Sequence, residues 1–399
     1  MNSNLYGENT PQLFWKVLEG VEDTIWLDAT TMALRQLDYP AETLDEFLQW
    51  SIGEGSYGNE NWNLSLPKKA YYLIKPLIPQ FVSKQLRCAQ IYIASHKQHE
   101  DNHWPIDGRY VDFFETVIKN VMDIVGKSEL SFIHWWRQGQ RSAFVLTHDV
   151  ECEQSQLHVL KLAQMEQSMG FHSCFHFVGD RYPIHWDVVE GLKEMGFEIG
   201  IHGLKHDGKL FFNSKITQER MQKVNACARA MTAQTFRAPM TIRDPHKLQL
   251  LDLPYDLSFF DTDPFEPMPG GVMTIWPFTI GHLLELPYTL VQDYTLFELL
   301  KQEDFKYWAK KVAYLMEHFG MILLDSHPDY LQSPHHLKVY QQFLESMCLL
   351  KDKLWHALPS EVGSWWRDRL TADRVDPSLG QVKAIVKKEG DGSLSFSIG

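Results

Sequence analysis

The sequence predicts an α/β fold: a (β/α) barrel with a mainly helical N-terminal extension and a short C-terminal hairpin. Three observations predict it. From residue 142 onward, short apolar segments alternate with helical segments, and strands separated by helices require parallel crossovers. Ionisable residues follow several of the apolar segments, as they do at the mouth of a barrel. The residues before about 140 look mainly helical and do not repeat the alternation.

The alternation gives roughly seven β-then-α units, taken from hydrophobic periodicity and from helix start and stop signals. The predicted strands span residues 142–148, 171–178, 197–202, 235–237, 255–260, 283–286 and 322–324. The predicted helices span residues 156–169, 186–195, 216–231, 245–251, 305–319 and 335–350. Ser333 and Pro334 are a good N-cap and first-turn pair for the last helix.

Three segments follow from this pattern. Residues 1–140 form the N-terminal extension, 141–370 the barrel, and 371–399 a tail or hairpin. Within the last segment, residues 382–386 and 393–397 are strand candidates joined by Gly390-Asp391-Gly392, which favours a tight turn.

Length and charge restrict the possible partners. The chain has 399 residues, enough for one large domain with an appendage or for two domains. Its net charge of −13 argues against nucleic acid or an anionic membrane as the main partner, because both bind basic surfaces. Trp and Tyr line carbohydrate clefts but also fill cores, and we favour the core for most of the 13 Trp residues.

The cysteines and the N-terminus indicate a compartment. The five cysteines show no CxxC spacing, so we expect them to be reduced and structural: Cys88, Cys152, Cys174, Cys227 and Cys348. No basic start followed by an apolar run opens the chain, and prolines and basic residues interrupt the apolar region 71–93 too often for it to span a bilayer. We therefore expect a cytoplasmic protein without a transmembrane segment. The sequence does not predict its oligomeric state.

Two pairs of residues have the spacing of a metal site. His202 and His206 are four apart, so one turn or compact loop can bring both onto one ion. Asp149 and Glu151 are two apart and face the same way in an extended chain. One carboxylate can then bind the metal while the other accepts a proton from water. Taken alone, a histidine pair arises by chance among 18 histidines, and either carboxylate can serve as a helix N-cap.

Four further polar residues follow predicted strands or lie in a predicted loop. Arg237 can hold a catalytic carboxylate ionised, or it can form a surface ion pair. His327 can protonate a leaving nitrogen, act as a third histidine ligand, or be a buried structural histidine. Asp261 and Asp263 either orient His327 or are turn residues.

The positions of these residues join the motifs into one prediction. Asp149, His202, Arg237 and His327 each stand at the C-terminal end of a predicted strand. In a β/α barrel those ends meet at one mouth, where active sites are built. The sequence contains no GxSxG, phosphate-binding loop or dinucleotide fingerprint, so a metal-dependent hydrolase is the favoured class.

Taken in order, the motifs resemble those of the polysaccharide deacetylase (NodB homology) family. The matching segments are Thr147-His148-Asp149-Val150-Glu151, His202 to His206, Arg237-Ala238-Pro239 and Leu324 to His327. The resemblance implies a distorted seven-stranded (β/α) barrel that hydrolyses an N-acetyl group. It also implies a role for each residue: Asp149 as general base, Glu151, His202 and His206 as metal ligands, Arg237 as the partner of Asp149, and His327 as the acid that protonates the amine.

The chain departs from the family pattern in three places. Glu151 stands where the family usually has Asp, so the ligand role can pass to Asp149. Met240 or Thr241 stands where the third motif usually has glycine. The fourth motif is matched only loosely, by residues 261–265, which include the candidate catalytic residue Asp263.

The predicted function is metal-dependent hydrolysis of an N-acetyl group on a sugar or polysaccharide intermediate. One alternative is a hydrolase of another non-peptide C–N bond in a small molecule, and another is a catalytically lapsed carbohydrate-binding barrel. The expected partner is a carbohydrate or a small N-acetylated substrate. Two histidines and one carboxylate suit zinc, and cobalt, nickel or iron would fit the same ligands.

Overall fold

A computed structural model describes residues 4–58, 61–62 and 103–399, so Cys88 and the whole apolar region 71–93 lie outside the described residues. The helices are α1 Pro11–Trp15, α2 Asp23–Leu37, α3 Leu44–Trp50, α4 Arg109–Val125, α5 Glu153–Ser168, α6 Trp186–Glu194, α7 Ser214–Met231, α8 Pro245–Leu248, α9 Lys306–Glu317, α10 Pro334–Cys348 and α11 Pro359–Thr371. The strands are β1 Glu129–Ile133, β2 Ser142–Val150, β3 Cys174–Phe177, β4 Glu198–Ile201, β5 Thr235–Phe236, β6 Tyr255–Asp256, β7 Phe278–Ile280, β8 Leu283–Glu285, β9 Ile322–Ser326, β10 Leu354–His356, β11 Lys383–Lys388 and β12 Leu394–Ile398. A π-helix spans Tyr294–Leu299.

Parallel strands form the barrel. Strand β2 pairs with β3, and the order continues through β4, β5, β6 and β8, each pair parallel. Beyond β8 the chain continues extended, with a parallel bridge between Leu290 and Leu324 that joins it to β9. Strand β9 pairs parallel with β2 and completes the ring. The predicted distorted seven-stranded (β/α) barrel is therefore confirmed, and the distortion lies where a single bridge closes it.

The predicted C-terminal hairpin is also confirmed. Strands β11 and β12 are antiparallel, and β11 pairs in turn with β1 from the N-terminal extension. The resulting three-stranded sheet packs beside the barrel. One cluster of buried apolar side chains includes Trp15, Phe132 and Val386 together with the barrel residues. The division into three segments stays a prediction.

Most predicted elements lie within a few residues of the observed ones. Strand β10, which adds to β2 in parallel, the hairpin strand β7, the helix α11 and the strand β1 were not predicted. Ser333 is the N-cap of α10, as predicted, but its side chain makes no capping hydrogen bond.

Two further expectations can be compared with the described residues. No helix among them is long and apolar enough to cross a membrane. The four described cysteines, Cys152, Cys174, Cys227 and Cys348, are all free thiols.

Candidate active site

Six of the predicted residues meet at the carboxyl ends of four barrel strands, all within the run β9-β2-β3-β4-β5. Asp149 lies near the end of β2, and Glu151 follows that strand. His202 and His206 follow β4, Arg237 follows β5, and His327 follows β9. Because β2 lies between β3 and β9 in a parallel sheet, these strand ends share one mouth.

Glu151, His202 and His206 form the group that suits a metal ion. Their ligand atoms all lie within 4.8 Å of one another. Glu151 Oε1 is 2.8 Å from His206 Nε2 and 4.0 Å from His202 Nε2. Glu151, rather than Asp149, therefore stands with both histidines.

The ligand atoms of this group fit a metal because they lack other partners. His202 Nε2 is buried and has no hydrogen-bond partner among the described residues, and the polar neighbour of the buried His206 Nε2 is Glu151 Oε1, a member of the same group. Leaving buried nitrogens unpaired costs about 1–3 kcal/mol each, which a metal bond of about 2.0–2.1 Å would offset. Burial lowers the pKa of His202 to about 4, although Asp149 opposes the shift, so the imidazole is neutral and has a lone pair to donate.

Asp149 is held beside this group by Arg237. Asp149 Oδ1 accepts a hydrogen bond of 3.1 Å from Arg237 Nη1, and its Oδ2 lies 3.4 Å from His202 Nδ1. Burial alone would raise the pKa of Asp149. The neighbouring His202 and Arg237 outweigh burial and lower that pKa to about 2, so the carboxylate is ionised.

Asp325 shares the same guanidinium. Arg237 Nη1 donates to Asp325 Oδ1 and, at 3.0 Å, to Thr147 Oγ1. Asp149, Asp325 and His327 also have ligand atoms within 4.8 Å of one another. That second group already contains the buried guanidinium between its carboxylates, so it is a poorer cation site than the group of Glu151.

His327 has a carboxylate partner that the sequence did not indicate. Its Nδ1 lies 2.7 Å from Asp293 Oδ1, and its backbone N–H donates to Asp293 Oδ2 at 2.8 Å. His327 Nε2 faces the mouth, 3.8 Å from Glu151 Oε1. Burial would lower the pKa of His327, but Asp293 more than offsets it and holds the pKa well above its ordinary value.

The aspartates expected to orient His327 lie in other contacts. Asp261 forms a buried ion pair of 2.5 Å with Lys311. Asp263 accepts a hydrogen bond from the backbone N–H of Phe265 and bridges Gly270. The orienting contact on His327 is therefore made by Asp293, and a catalytic role for Asp263 stays a prediction.

His176 is a further buried residue of the site. It lies on β3 directly opposite Asp149 in the strand register, with Nδ1 3.8 Å from Asp149 Oδ1. Gly200 makes room for it, since a Cβ at that position would collide with the imidazole. Burial and the charge of Arg237 hold the pKa of His176 well below its ordinary value.

Sequence reasoning missed three of these residues, Asp293, His176 and Asp325, each for a definable reason. Asp293 lies seven residues beyond the predicted strand 283–286, in a segment where no motif was found. His176 stands in the middle of an apolar strand, and its pairing with Asp149 on the neighbouring strand cannot be read from that strand alone. Asp325 was taken as a spacer between Leu324 and His327.

The turn after Arg237 keeps a glycine-like shape without glycine. Met240 and Thr241 have φ values of 58° and 49°, in the left-handed region. The chain thus adopts at these two positions the conformation that glycine favours. Pro239 packs against Gly203, where a Cβ would collide with the proline ring, so this turn touches the loop from His202 to His206.

The fold and the mouth together define a (β/α) barrel with a histidine–carboxylate site. No protein-family model matches the chain, and no curated protein matches it. Similar solved structures include a Mycobacterium smegmatis protein described as a polysaccharide deacetylase (17% identity, 60% of this chain and 95% of that one, TM-score 0.49). A Pseudomonas aeruginosa PAO1 protein described in the same way shares 15% identity over 57% of this chain and 91% of its own, with a TM-score of 0.46.

The PuuE allantoinase is another similar structure, with 14% identity over 61% of this chain and 95% of its own and a TM-score of 0.46. Two of these three proteins carry the name of the family that the motifs resemble. With TM-scores below 0.5, the likenesses leave the activity of this chain to be inferred from its own residues.

Proposed function

We propose that this protein is a metal-dependent hydrolase that removes an N-acetyl group from a sugar. The observation that carries the proposal is the arrangement at the barrel mouth. Glu151, His202 and His206 bring their ligand atoms within 4.8 Å of one another, with an ionised carboxylate at Asp149 and a protonated imidazole at His327 beside them. A metal-dependent site that hydrolyses an amide uses these three parts.

The roles of the residues follow from their contacts. Asp149, ionised and held by Arg237, accepts a proton from the water that adds to the acetyl carbon. His327, protonated and held by Asp293, gives a proton to the sugar nitrogen as the C–N bond breaks. The products are acetate and a free amine, so one water is consumed and the atoms balance.

Glu151, His202 and His206 would hold the divalent metal. When bound, the metal supplies a Lewis acid that polarises the acetyl carbonyl and lowers the pKa of water. Zinc suits two imidazoles and one carboxylate, and cobalt, nickel or iron remain compatible with the same ligands.

Bound metal and acetate release test this proposal together. We expect about one metal per chain by elemental analysis after zinc is added and the excess removed, and loss of the metal in His202→Ala. His335→Ala, an exposed histidine outside the mouth, is the matched control and keeps its metal. No retained metal in the unaltered protein would sink the hydrolase proposal and favour a lapsed, carbohydrate-binding barrel.

Asp149→Asn separates catalysis from binding. This variant keeps the metal ligands but loses the proton acceptor, so we expect acetate release from N-acetylated sugars to fall about 10²- to 10⁴-fold with metal content unchanged. Retained turnover would show that another group is the base.

A second candidate is hydrolysis of another C–N bond in a small molecule. The observation that favours it is that the N-terminal extension contacts the loop 262–270 at the mouth. Asn61 Nδ2 donates to the carbonyl of Pro269 at 3.3 Å, and Thr262 Oγ1 donates to the carbonyl of His103 at 3.1 Å. The Trp104 ring packs against Phe265, with centroids 5.1 Å apart. Comparing acetate release from N-acetylated mono- and oligosaccharides with ammonia release from small amides and ureides distinguishes the two candidates.

A further inference from the structure

The turn after Arg237 requires outside support. Met240 and Thr241 are consecutive left-handed residues with side chains, and Thr241 is β-branched. Each such residue is less stable than one in the right-handed region, because its Cβ crowds the following carbonyl oxygen. Strained backbone of this kind persists only where surrounding contacts hold it.

Arg243 supplies part of that support. Its guanidinium is fully buried over the ring of Phe260, 4.4 Å from the centroid. Arg243 Nη1 donates to the carbonyls of Thr241 at 2.9 Å and Met268 at 3.2 Å. The hydroxyl of Thr241 donates to Glu266 Oε2 at 2.8 Å. The turn is thus tied to the loop that follows it.

Glu54, from the N-terminal extension, holds Arg243 in place. Arg243 Nε donates to Glu54 Oε2 at 2.9 Å, and Nη2 contacts Glu54 Oε1. Glu54 Oε1 also accepts the backbone N–H of Gly271 at 2.9 Å. Gly270 leaves the space for this pair, because a Cβ there would collide with both side chains. Gly270, Gly271 and the buried pair are therefore packed together as one cluster.

The turn transmits this support to the site on two sides. Arg237, whose Nη1 holds Asp149, lies three residues before Met240. Pro239, within the turn, packs on Gly203 in the loop that carries His202 and His206. A turn that relaxed would displace both the base and the metal ligands.

We propose that Glu54 and Arg243 are positioning residues that hold the left-handed turn 239–241, so that the N-terminal extension completes the active site of the barrel. The inference rests on the proposed function only where it concerns activity. The structural part of the inference, that the buried pair restrains the turn, can be measured on the folded protein independently of its activity.

The test uses hydrogen exchange and turnover on the full, zinc-loaded chain. The double variant Glu54→Leu with Arg243→Met removes both buried charges together, so no unpaired charge remains. We expect at least about tenfold faster amide exchange in a peptide covering 238–244 and about a ten- to hundredfold loss of kcat/KM, with metal content retained. Adding Met240→Gly should reverse most of both changes, since glycine takes the left-handed conformation without strain.

Controls separate the effect of the Glu54–Arg243 pair, which we call the clamp on the turn 239–241, from general damage to the fold. The double variant Asp261→Leu with Lys311→Met removes another buried ion pair at the same mouth and should leave exchange of 238–244 unchanged. Arg243→Lys keeps the charge opposite Glu54 but loses the forked donors, and should reproduce the faster exchange if the first double variant fails to fold.

The outcomes decide the two proposals separately. Unchanged exchange of 238–244 in the Glu54 and Arg243 variants overturns the clamp, as does faster exchange that Met240→Gly does not slow. Absence of acetate release from the unaltered protein sinks the proposed function, while the exchange data still decide the clamp.

Discussion

At the scale of the residue, burial and charge move two neighbouring pKa values in opposite directions. Burial opposes ionisation of both Asp149 and His327. His202 and Arg237 nevertheless hold the pKa of Asp149 low enough to keep it anionic, and Asp293 keeps His327 cationic. Groups of opposite protonation at one mouth are what acid–base hydrolysis requires at neutral pH.

Asp293→Asn is predicted to change the pH dependence of the reaction. Asp293 raises the pKa of His327, so its removal lowers that pKa and the protonated acid is lost at lower pH. We expect the alkaline limb of kcat/KM to move to lower pH and kcat at neutral pH to fall by about 10²-fold. A pH–rate profile of acetate release measures both.

Asp263→Asn is the control for that profile. Asp263 does not contact His327 in the structure. The alkaline limb of kcat/KM of the Asp263→Asn variant should therefore coincide with that of the unaltered protein. An equal shift in Asp263→Asn would instead restore the orienting role that the sequence suggested.

At the scale of the element, strand β2 carries contacts on both of its faces. Thr147 and Asp149 point to Arg237 inside the barrel. His148 points outward, with Nε2 2.7 Å from Glu166 Oε1 on α5 and Nδ1 2.9 Å from the Ser326 hydroxyl on β9. The outward network fixes the register of β2 and β9, the two strands that carry the base and the acid.

His148→Phe is predicted to destabilise the fold. The ring is similar in shape, but the buried Glu166 loses a donor and Ser326 loses its acceptor, which costs about 2–4 kcal/mol. Chemical denaturation measures the loss. His158→Phe, an exposed histidine on α5, should change the free energy of unfolding by about 0.5 kcal/mol or less. Equal stability of His148→Phe and the unaltered protein would contradict the network.

The elements also show how far sequence reasoning reaches. Periodicity and strand-end residues predicted the barrel strands and placed Asp149, His202 and His327 correctly at strand ends, because these signals are local. Pairing between β1 and β11 is invisible to local patterns, since its partners lie at opposite ends of the chain. Asp293 lies beyond the predicted strand 283–286 and in no recognisable motif. The contact between Glu54 and Arg243 joins distant segments and carries no sequence signal of its own.

At the scale of the whole molecule, the extension, barrel and hairpin share one core. The ring of Phe396 on β12 lies 5.5 Å from Trp135 and 5.1 Å from Phe319, and it stacks parallel to Trp15 at 6.4 Å. These partners come from the N-terminal extension and from the barrel. We therefore expect the hairpin to unfold together with the rest of the molecule.

Phe396→Ala is predicted to weaken the whole fold in one step. Removal of this half-buried ring should cost about 2–3 kcal/mol, and fluorescence and circular dichroism should report the same unfolding midpoint. Ser397→Ala, at an exposed neighbour, should change stability by about 0.5 kcal/mol or less. Two separated transitions in Phe396→Ala would instead establish that the segments fold independently.

Acid is predicted to destabilise the molecule through buried neutral histidines. Burial lowers the pKa of His134 to about 4, and its Nδ1 accepts the backbone N–H of Trp136 at 3.1 Å. Below the ordinary histidine pKa of about 6.5, His134 binds a proton in the unfolded chain but not in the folded chain. Stability is therefore fully present above about 6.5 and is lost as the pH falls towards 4, by up to about 1.4 kcal/mol per pH unit for this group.

The slope of unfolding free energy against pH checks this expectation. His134→Asn can still accept the Trp136 N–H but does not titrate, so its slope between pH 4 and 6.5 should be shallower by that amount. An unchanged slope would mean that His134 is protonated in the folded protein.

The pairing of β1 with β11 has a consequence for biosynthesis. A ribosome delivers β1 and the barrel strands well before residues 383–388, so the nascent chain holds β1 with one ladder edge open until its partner emerges. The barrel can close during translation, whereas the three-stranded sheet forms only afterwards. Ribosome-stalled chains ending before residue 383 should accordingly engage chaperones through that edge and release them once β11 is made.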